Sequence, residues 1–168
     1  IAIGQNTYAR SGSTMIGTHN YKGDIADISV DTSKESNMRS YNIGVNATTI
    51  GVNSFNNSTF GVVNGAYSAI TSEYAGGDNV LKAAQNFGAT ITGSLNSIES
   101  KTATSRYSGV ANSIVGTANR TFNSNGSIIM GAGNEITNSV TSISGAPTSG
   151  GNSAKALAEK LRTPVKDS

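Results

Sequence analysis

Short runs of apolar or β-branched residues recur along this chain of 168 residues, and each run is closed by glycine. An asparagine usually follows two or three positions later, as Asn6 follows Gly4 and Asn119 follows Gly116. Short apolar runs bounded by turn-forming residues are typical of buried β-strands. The pattern therefore predicts strands that end at a repeated turn. The runs end at Gly4, Gly17, Gly44, Gly51, Gly61, Gly88, Gly116 and Gly131.

The glycines follow a nearly regular step. Gly4 and Gly17 lie 13 residues apart, Gly116 and Gly131 lie 15 apart, and other intervals are close to twice that step. Such self-similarity is typical of a solenoid, whose repeats stack on their neighbours. A repeat of about 14 residues accommodates two strands and two turns, with glycine allowing positive φ and asparagine favouring the left-handed turn. We assign structural turn roles to Gly4, Gly17, Gly44, Gly61, Gly116 and Gly131.

The composition favours association of several copies. Hydrophobic residues make up 36% and charged residues 13% of the chain, and small polar residues fill much of the rest. One narrow coil offers only about two or three apolar side chains, such as Ile1 and Ile3 or Ile128 and Met130, to offset its backbone entropy. We therefore expect identical chains to cover one another's apolar faces around an axis.

The first repeat carries a family resemblance. It reads Ile1-Ala2-Ile3-Gly4-Gln5-Asn6-Thr7-Tyr8-Ala9, and it resembles the head repeat of trimeric autotransporter adhesins of the Yersinia adhesin type. The resemblance covers residues 1–64 and 108–140. It implies an all-β fold in which three chains form left-handed parallel β-rolls around a threefold axis. It also implies a place on the bacterial surface, with the outer-membrane anchor outside this fragment of a longer protein.

The period is interrupted in three places, near residues 20–40, 64–86 and 97–109. Insertions in solenoids form loops on one face, and that face often binds a partner. We therefore expect residues 1–143 to form a β-roll head with three loop insertions.

The last part of the chain predicts a short helix. Residues 144–168 contain a linker rich in glycine and serine, then Ser153 as a helix cap, then a helical run from Ala154 to Arg162. Ala154, Leu157 and Leu161 share one face of this run, and Thr163-Pro164 are expected to end it. The segment begins a neck or stalk, or else packs as a lid on the last layer.

Candidate chemistry is sparse. The only histidine is His19, predicted to lie in a loop, and Asp24, Asp27 and Asp31 do not have the alternate spacing of a calcium loop. Gly131-Ala132-Gly133 lacks the third glycine of a dinucleotide site. We therefore expect no catalytic residue, metal or cofactor, and no enzyme. A trimeric left-handed β-helix acyltransferase is the enzymatic alternative, but its strict hexapeptide period differs from the step seen here.

Tyrosines and arginines in the turns and insertions are the predicted contact residues, because tyrosine pairs an apolar face with a hydroxyl. Net charge is only +2 with scattered basic residues, so we expect no nucleic acid partner. The resemblance implies a host surface protein, either a matrix protein or a receptor of the CEACAM type. A passive spacer in a longer fibre remains the alternative. The predicted contacts are Tyr21, Arg39, Tyr41, Tyr67, Tyr74, Arg106 and Tyr107.

Overall fold

Within the residues that the computed structural model describes, the fold is mostly β with one C-terminal helix, α1 (Ala154–Lys166). These residues are 1–5, 7, 9, 12–18, 46–73, 86–101, 108–139, 143 and 153–167. Sheet A contains β1 (Ala2–Ile3), β2 (Thr14–Thr18), β3 (Thr48–Val52), β5 (Val62–Asn64), β7 (Thr90–Thr92), β9 (Ser113–Thr117) and β11 (Ile128–Ala132). Sheet B contains β4 (Phe55–Asn56), β6 (Ala69–Glu73), β8 (Ser97–Lys101), β10 (Arg120–Phe122) and β12 (Glu135–Thr137).

From β3 onward the chain alternates between the two sheets, so each coil contributes one strand to each sheet. All strand pairs are parallel within the described residues. Thr48 pairs with Val62, fourteen residues along the chain, and Ser113 pairs with Ile128, fifteen along. Gly116 lies opposite Gly131 in the same register. The prediction of an all-β fold is confirmed, and its strands stack coil upon coil at the step given by the glycines.

Three coil-to-coil steps are longer. They separate β2 from β3, β6 from β7, and β8 from β9, and the extra residues 19–45, 74–85 and 102–107 lie outside the described part. The sequence pattern assigns residues 64–73 and 97–101 to the insertions. In the structure, residues 64–73 form the end of β5, the turn after it and β6, and residues 97–101 form β8. These strands keep the register of their neighbours. The interruptions are therefore narrower than expected at these two places.

The main core is a column of side chains that runs through the roll from β5 to β12, and a second cluster of Met15, Ala47 and Phe55 lies in the earlier coils. The middle residue of each apolar run faces inward, because successive side chains of a strand point to opposite faces. Ile1, Ile3, Ile128 and Met130, expected to fill the layers, lie instead on the outside, where they are 57–74% exposed. The inward residues of the main core cluster are Val63, Ile70, Ile91, Ile98, Ile114 and Ile129, with Ala89 beside them and the half-buried Ile136 packed against them.

Helix α1 begins as predicted, with the Ser153 hydroxyl accepting a 3.3 Å hydrogen bond from the backbone N–H of Ala156. It does not end at Thr163, since it continues through a buried Pro164 to Lys166. Ala154, expected on the packed face, is exposed, whereas Leu161 and Val165 contact the roll.

The docking place of α1 is the turn that leads from sheet B back into sheet A. Leu161 and Val165 pack on a small cluster formed by Phe87, Val110 and Ile143. The helix therefore lies along the flank of successive coils.

Candidate binding surfaces

A ladder of glycines forms the corner where sheet A gives way to sheet B. At each rung φ lies between +122° and +154°, a region that residues with a side chain rarely adopt. A Cβ on Gly93 would sit 1.9 Å from the carbonyl oxygen of Gly116, so the backbones of neighbouring coils leave no room for a side chain. The rungs of this glycine ladder are Gly4, Gly17, Gly51, Gly65, Gly93, Gly116 and Gly131.

Four of the assigned turn glycines, Gly4, Gly17, Gly116 and Gly131, are rungs of this ladder. Gly61 is not a rung, because it precedes β5. A Cβ added to Gly61 would lie 2.3 Å from the Cβ of Ser58. Gly44 lies outside the described residues. Sequence reasoning missed Gly65, where Asn64 stands between the apolar pair Val62-Val63 and the glycine, and it missed Gly93 although β-branched residues precede it.

The residue three positions after each glycine ties one coil to the next. Asn119 Nδ2 donates to the Gly131 carbonyl at 2.7 Å, and both its backbone N–H and Nδ2 donate to Asn96 Oδ1 at 3.0 Å. The left-handed φ falls one residue earlier, for example at Ala118 (φ 56°). Asn119 therefore bonds the next coil and does not form the left-handed turn, whereas Asn46 and Asn53, two residues after their glycines, adopt left-handed φ of 52° and 49° as predicted. The same bond to the next glycine carbonyl is made by Thr7, Ser54, Ser68 and Asn96, at 2.6–2.9 Å.

The outward side of sheet A, which we name the sheet A face, carries eight large apolar residues and six residues with uncharged polar side chains, and no charged side chain, at its described positions. Ile16, Ile50 and Val115 are 36–43% exposed, and Ile128 and Met130 are 70–74% exposed. Exposed apolar residues that gather on one face often mark a surface for interaction. The face consists of Ile1, Ile3, Thr14, Ile16, Thr48, Ile50, Val62, Asn64, Thr90, Thr92, Ser113, Val115, Ile128 and Met130.

The outward side of sheet B, the sheet B face, carries an ion cluster across three coils. Arg120 donates two hydrogen bonds of 2.8 Å to the Glu99 carboxylate and one of 2.7 Å to Glu135. Its guanidinium lies 4.7 Å from the ring centroid of Phe122. The hydrogen bonds that the Glu99 carboxylate accepts raise the pKa of Arg120 further above its usual value, so the cation stays charged at any working pH. This face is suited to water.

One corner of the roll exposes two bulky residues in successive coils. Tyr67 is 51% and Leu95 59% exposed, and both adopt left-handed φ, at 52° and 60°. Bulky residues rarely take this conformation, and such backbone strain concentrates at functional sites. Backbone bonds hold the pair in register, with Leu95 N–H donating to the Ala66 carbonyl at 3.0 Å.

Tyr67 is thus the one predicted contact residue that the structure describes, and it is exposed. Leu95 was not anticipated, although its place two residues after a ladder glycine directs its side chain away from the core. The other predicted contacts lie outside the described residues: Tyr21, Arg39, Tyr41, Tyr74, Arg106 and Tyr107.

The described residues contain no group of three or more His, Asp or Glu side chains placed to hold a metal ion. Within the same ranges, no helix combines the length and apolarity needed to span a membrane. His19, Asp24, Asp27 and Asp31 fall outside those ranges. In comparisons with known proteins, no family model, no curated protein and no solved structure matches this chain.

Proposed function

We propose that this chain is the head of a trimeric adhesin on the surface of a bacterium, which attaches the cell to a host protein. In this proposal three copies, each a left-handed parallel β-roll, pack their sheet A faces around a threefold axis. The observation that carries it is the contrast between the uncharged sheet A face and the charged sheet B face of the same coils.

Burial of the sheet A face supplies the energy for assembly. Covering an exposed isoleucine, valine or methionine contributes about 1.5–3 kcal/mol per side chain when burial is complete. Eight large apolar residues of this face are 36–74% exposed in the single chain. Close to a rotation axis each residue meets its own copies, so a charged residue there would meet like charge. The composition of the face fits that constraint.

A trimer would present three copies of each contact to a host surface. Multivalent display raises avidity without a strong single site. Among the described residues, the Tyr67–Leu95 corner fits such a contact, since aromatic and apolar anchors dominate protein interfaces. The partner class is a matrix protein or a receptor of the CEACAM type, and the membrane anchor belongs to another part of the protein.

One experiment tests assembly and attachment together. We expect the wild-type chain to sediment as a trimer and to bind host cells. Val115→Asp places three carboxylates near the axis, so it should give monomers and lower cell binding at least about 100-fold through lost avidity. The double variant Tyr67→Ser/Leu95→Ser should remain trimeric and still lose binding. Sedimentation velocity and flow cytometry with labelled protein measure the two quantities.

Thr137→Asp is the matched control, because Thr137 is exposed on the sheet B face and the change adds the same charge. It should keep both the trimer and the binding. A wild-type chain that is monomeric at micromolar concentration would contradict the assembly. A trimer that binds no host cell would support a passive spacer instead.

A further inference from the structure

Resting on the self-association proposed above, we infer that Asn64 fixes the height at which copies of this chain align against one another. Asn64 lies near the middle of the row that runs straight along the sheet A face, between Ile50 on one side and Thr92 on the other. The complete row is Ile3, Ile16, Ile50, Asn64, Thr92, Val115 and Met130.

Asn64 is the one asparagine among the described residues of the sheet A face. Its side chain is exposed, and no hydrogen bond of its amide to another described residue is found. Buried asparagines instead donate hydrogen bonds within the chain. Asn56 Nδ2 donates to the Thr48 carbonyl at 3.2 Å, and Asn96 Nδ2 donates to the Gly116 carbonyl at 2.7 Å. The amide of Asn64 is therefore available to a partner across the face.

The chemistry of the whole face points to a second copy as that partner. Its members are either apolar or carry Ser, Thr or Asn groups, and the polar groups both donate and accept hydrogen bonds. A carboxamide can pair with its own symmetry copy, whereas a carboxylate or an ammonium group cannot. A foreign protein would place no such restriction on the surface it recognises.

Stacked coils create a problem of register that an apolar row cannot solve. Neighbouring strands lie about 4.8 Å apart, so one copy can slide along another by one coil and still meet similar residues. Two polar positions in the row change this. A slip of one coil between two copies opposes Asn64 of one copy to Ile50 of the other and Thr92 to Val115. The second Asn64 then meets Thr92, so one of the two amides is buried without a partner. One polar asparagine in an apolar seam fixes register in the same way in coiled coils, at some cost in stability.

Cysteine cross-linking tests this, because the natural chain contains no cysteine. Chains carrying Ile16→Cys are mixed with chains carrying Ile50→Cys, unfolded, reassembled and oxidised. Cross-links between like positions report aligned copies, and cross-links between positions 16 and 50 report a slip of one coil. In the otherwise natural chain we expect like-position products to dominate. With Asn64→Val added, the ratio of slipped to aligned products should rise at least about tenfold, and the dissociation concentration should fall at least about tenfold.

Two further variants control the result. Asn64→Thr retains a donor and an acceptor and should preserve most of the alignment. Thr137→Val, on the sheet B face, should change neither ratio nor affinity. If Asn64→Val assembles with an unchanged ratio of products, the register role is overturned while self-association stands. A natural chain that does not assemble overturns self-association, and the role of Asn64 with it.

Discussion

Sheet A and sheet B are built by the same coils, yet their outer surfaces have opposite character. Inward, both contribute buried isoleucines, such as Ile114 and Ile98, to one column. Outward, sheet A shows an uncharged apolar face, whereas sheet B carries the Glu99–Arg120–Glu135 cluster. The packing of the coil thus requires apolar residues in the inner row of both sheets, whereas the character of each outer row differs between the two sheets. This difference is what the proposed assembly through sheet A would explain.

The largest effect should come from breaking the corner that holds the two sheets together. In Gly93→Ala the new Cβ would lie 1.9 Å from the Gly116 carbonyl oxygen, in a backbone with φ +122°. Because a backbone atom cannot yield as a flexible side chain can, we expect a loss of more than about 4 kcal/mol in the free energy of unfolding. Urea unfolding followed by circular dichroism measures it.

Gly133→Ala is the control for Gly93→Ala. Gly133 also has a positive φ, +70°, but a Cβ there would meet no atom within 4 Å. Its cost should be limited to about 1–2 kcal/mol of left-handed strain. Equal losses in the two variants would show that φ, and not the approach of neighbouring coils, decides the glycine ladder.

Neighbouring residues on one strand sharpen the contrast between inside and outside. Ile114 is fully buried, so Ile114→Ala should cost about 2–5 kcal/mol at any protein concentration. Val115 is 42% exposed, so Val115→Ala should change the dissociated chain by less than about 0.5 kcal/mol while weakening assembly. Thermal melts over a hundredfold range of concentration separate the two. A concentration-independent loss for Val115→Ala would count against a covered sheet A face.

The smallest effect concerns the charges of sheet B. In Arg120→Met we expect a loss of about 1 kcal/mol or less that shrinks with added salt, because the arginine side chain is 39% exposed and its ion pairs are partly screened. Arg162→Met removes a more exposed pair on α1, at 65% exposure, and should change nothing measurable. A large loss that salt does not reduce would mean that Arg120 acts through packing on Phe122.

The repeat could be predicted from the sequence because no other residue fits at its ladder glycines. Which residues of each run face inward could not be predicted. Ile128, Ile129 and Met130 are all apolar, so alternation gave no signal of which residue faces inward. Gly65 was missed because the outward Asn64 interrupts the apolar run before it, whereas Gly93 was missed although Thr90, Ile91 and Thr92 before it are all β-branched. Whether an outward position is apolar or polar depends on its surroundings in the folded protein, and a local sequence pattern does not contain them.

The end of the helix and the exposed corner were missed for other physical reasons. Pro164 usually stops a helix, but its burial against the roll accompanies one more turn. Leu95 is exposed because it occupies a turn position with left-handed φ. Leucine rarely adopts this conformation, so its presence in the sequence does not indicate such a turn. Both depend on tertiary contacts that local propensity does not contain.

The bonds that close each coil also give the stack a direction. Thr7, Ser54 and Ser68 close the early coils with a hydroxyl, whereas Asn96 and Asn119 close the later ones with a carboxamide that also bonds the next asparagine. The number of side-chain hydrogen bonds between neighbouring coils therefore increases toward β12. On heating, we therefore expect the hydroxyl-closed layers to separate first and the carboxamide-closed layers to retain their structure longest.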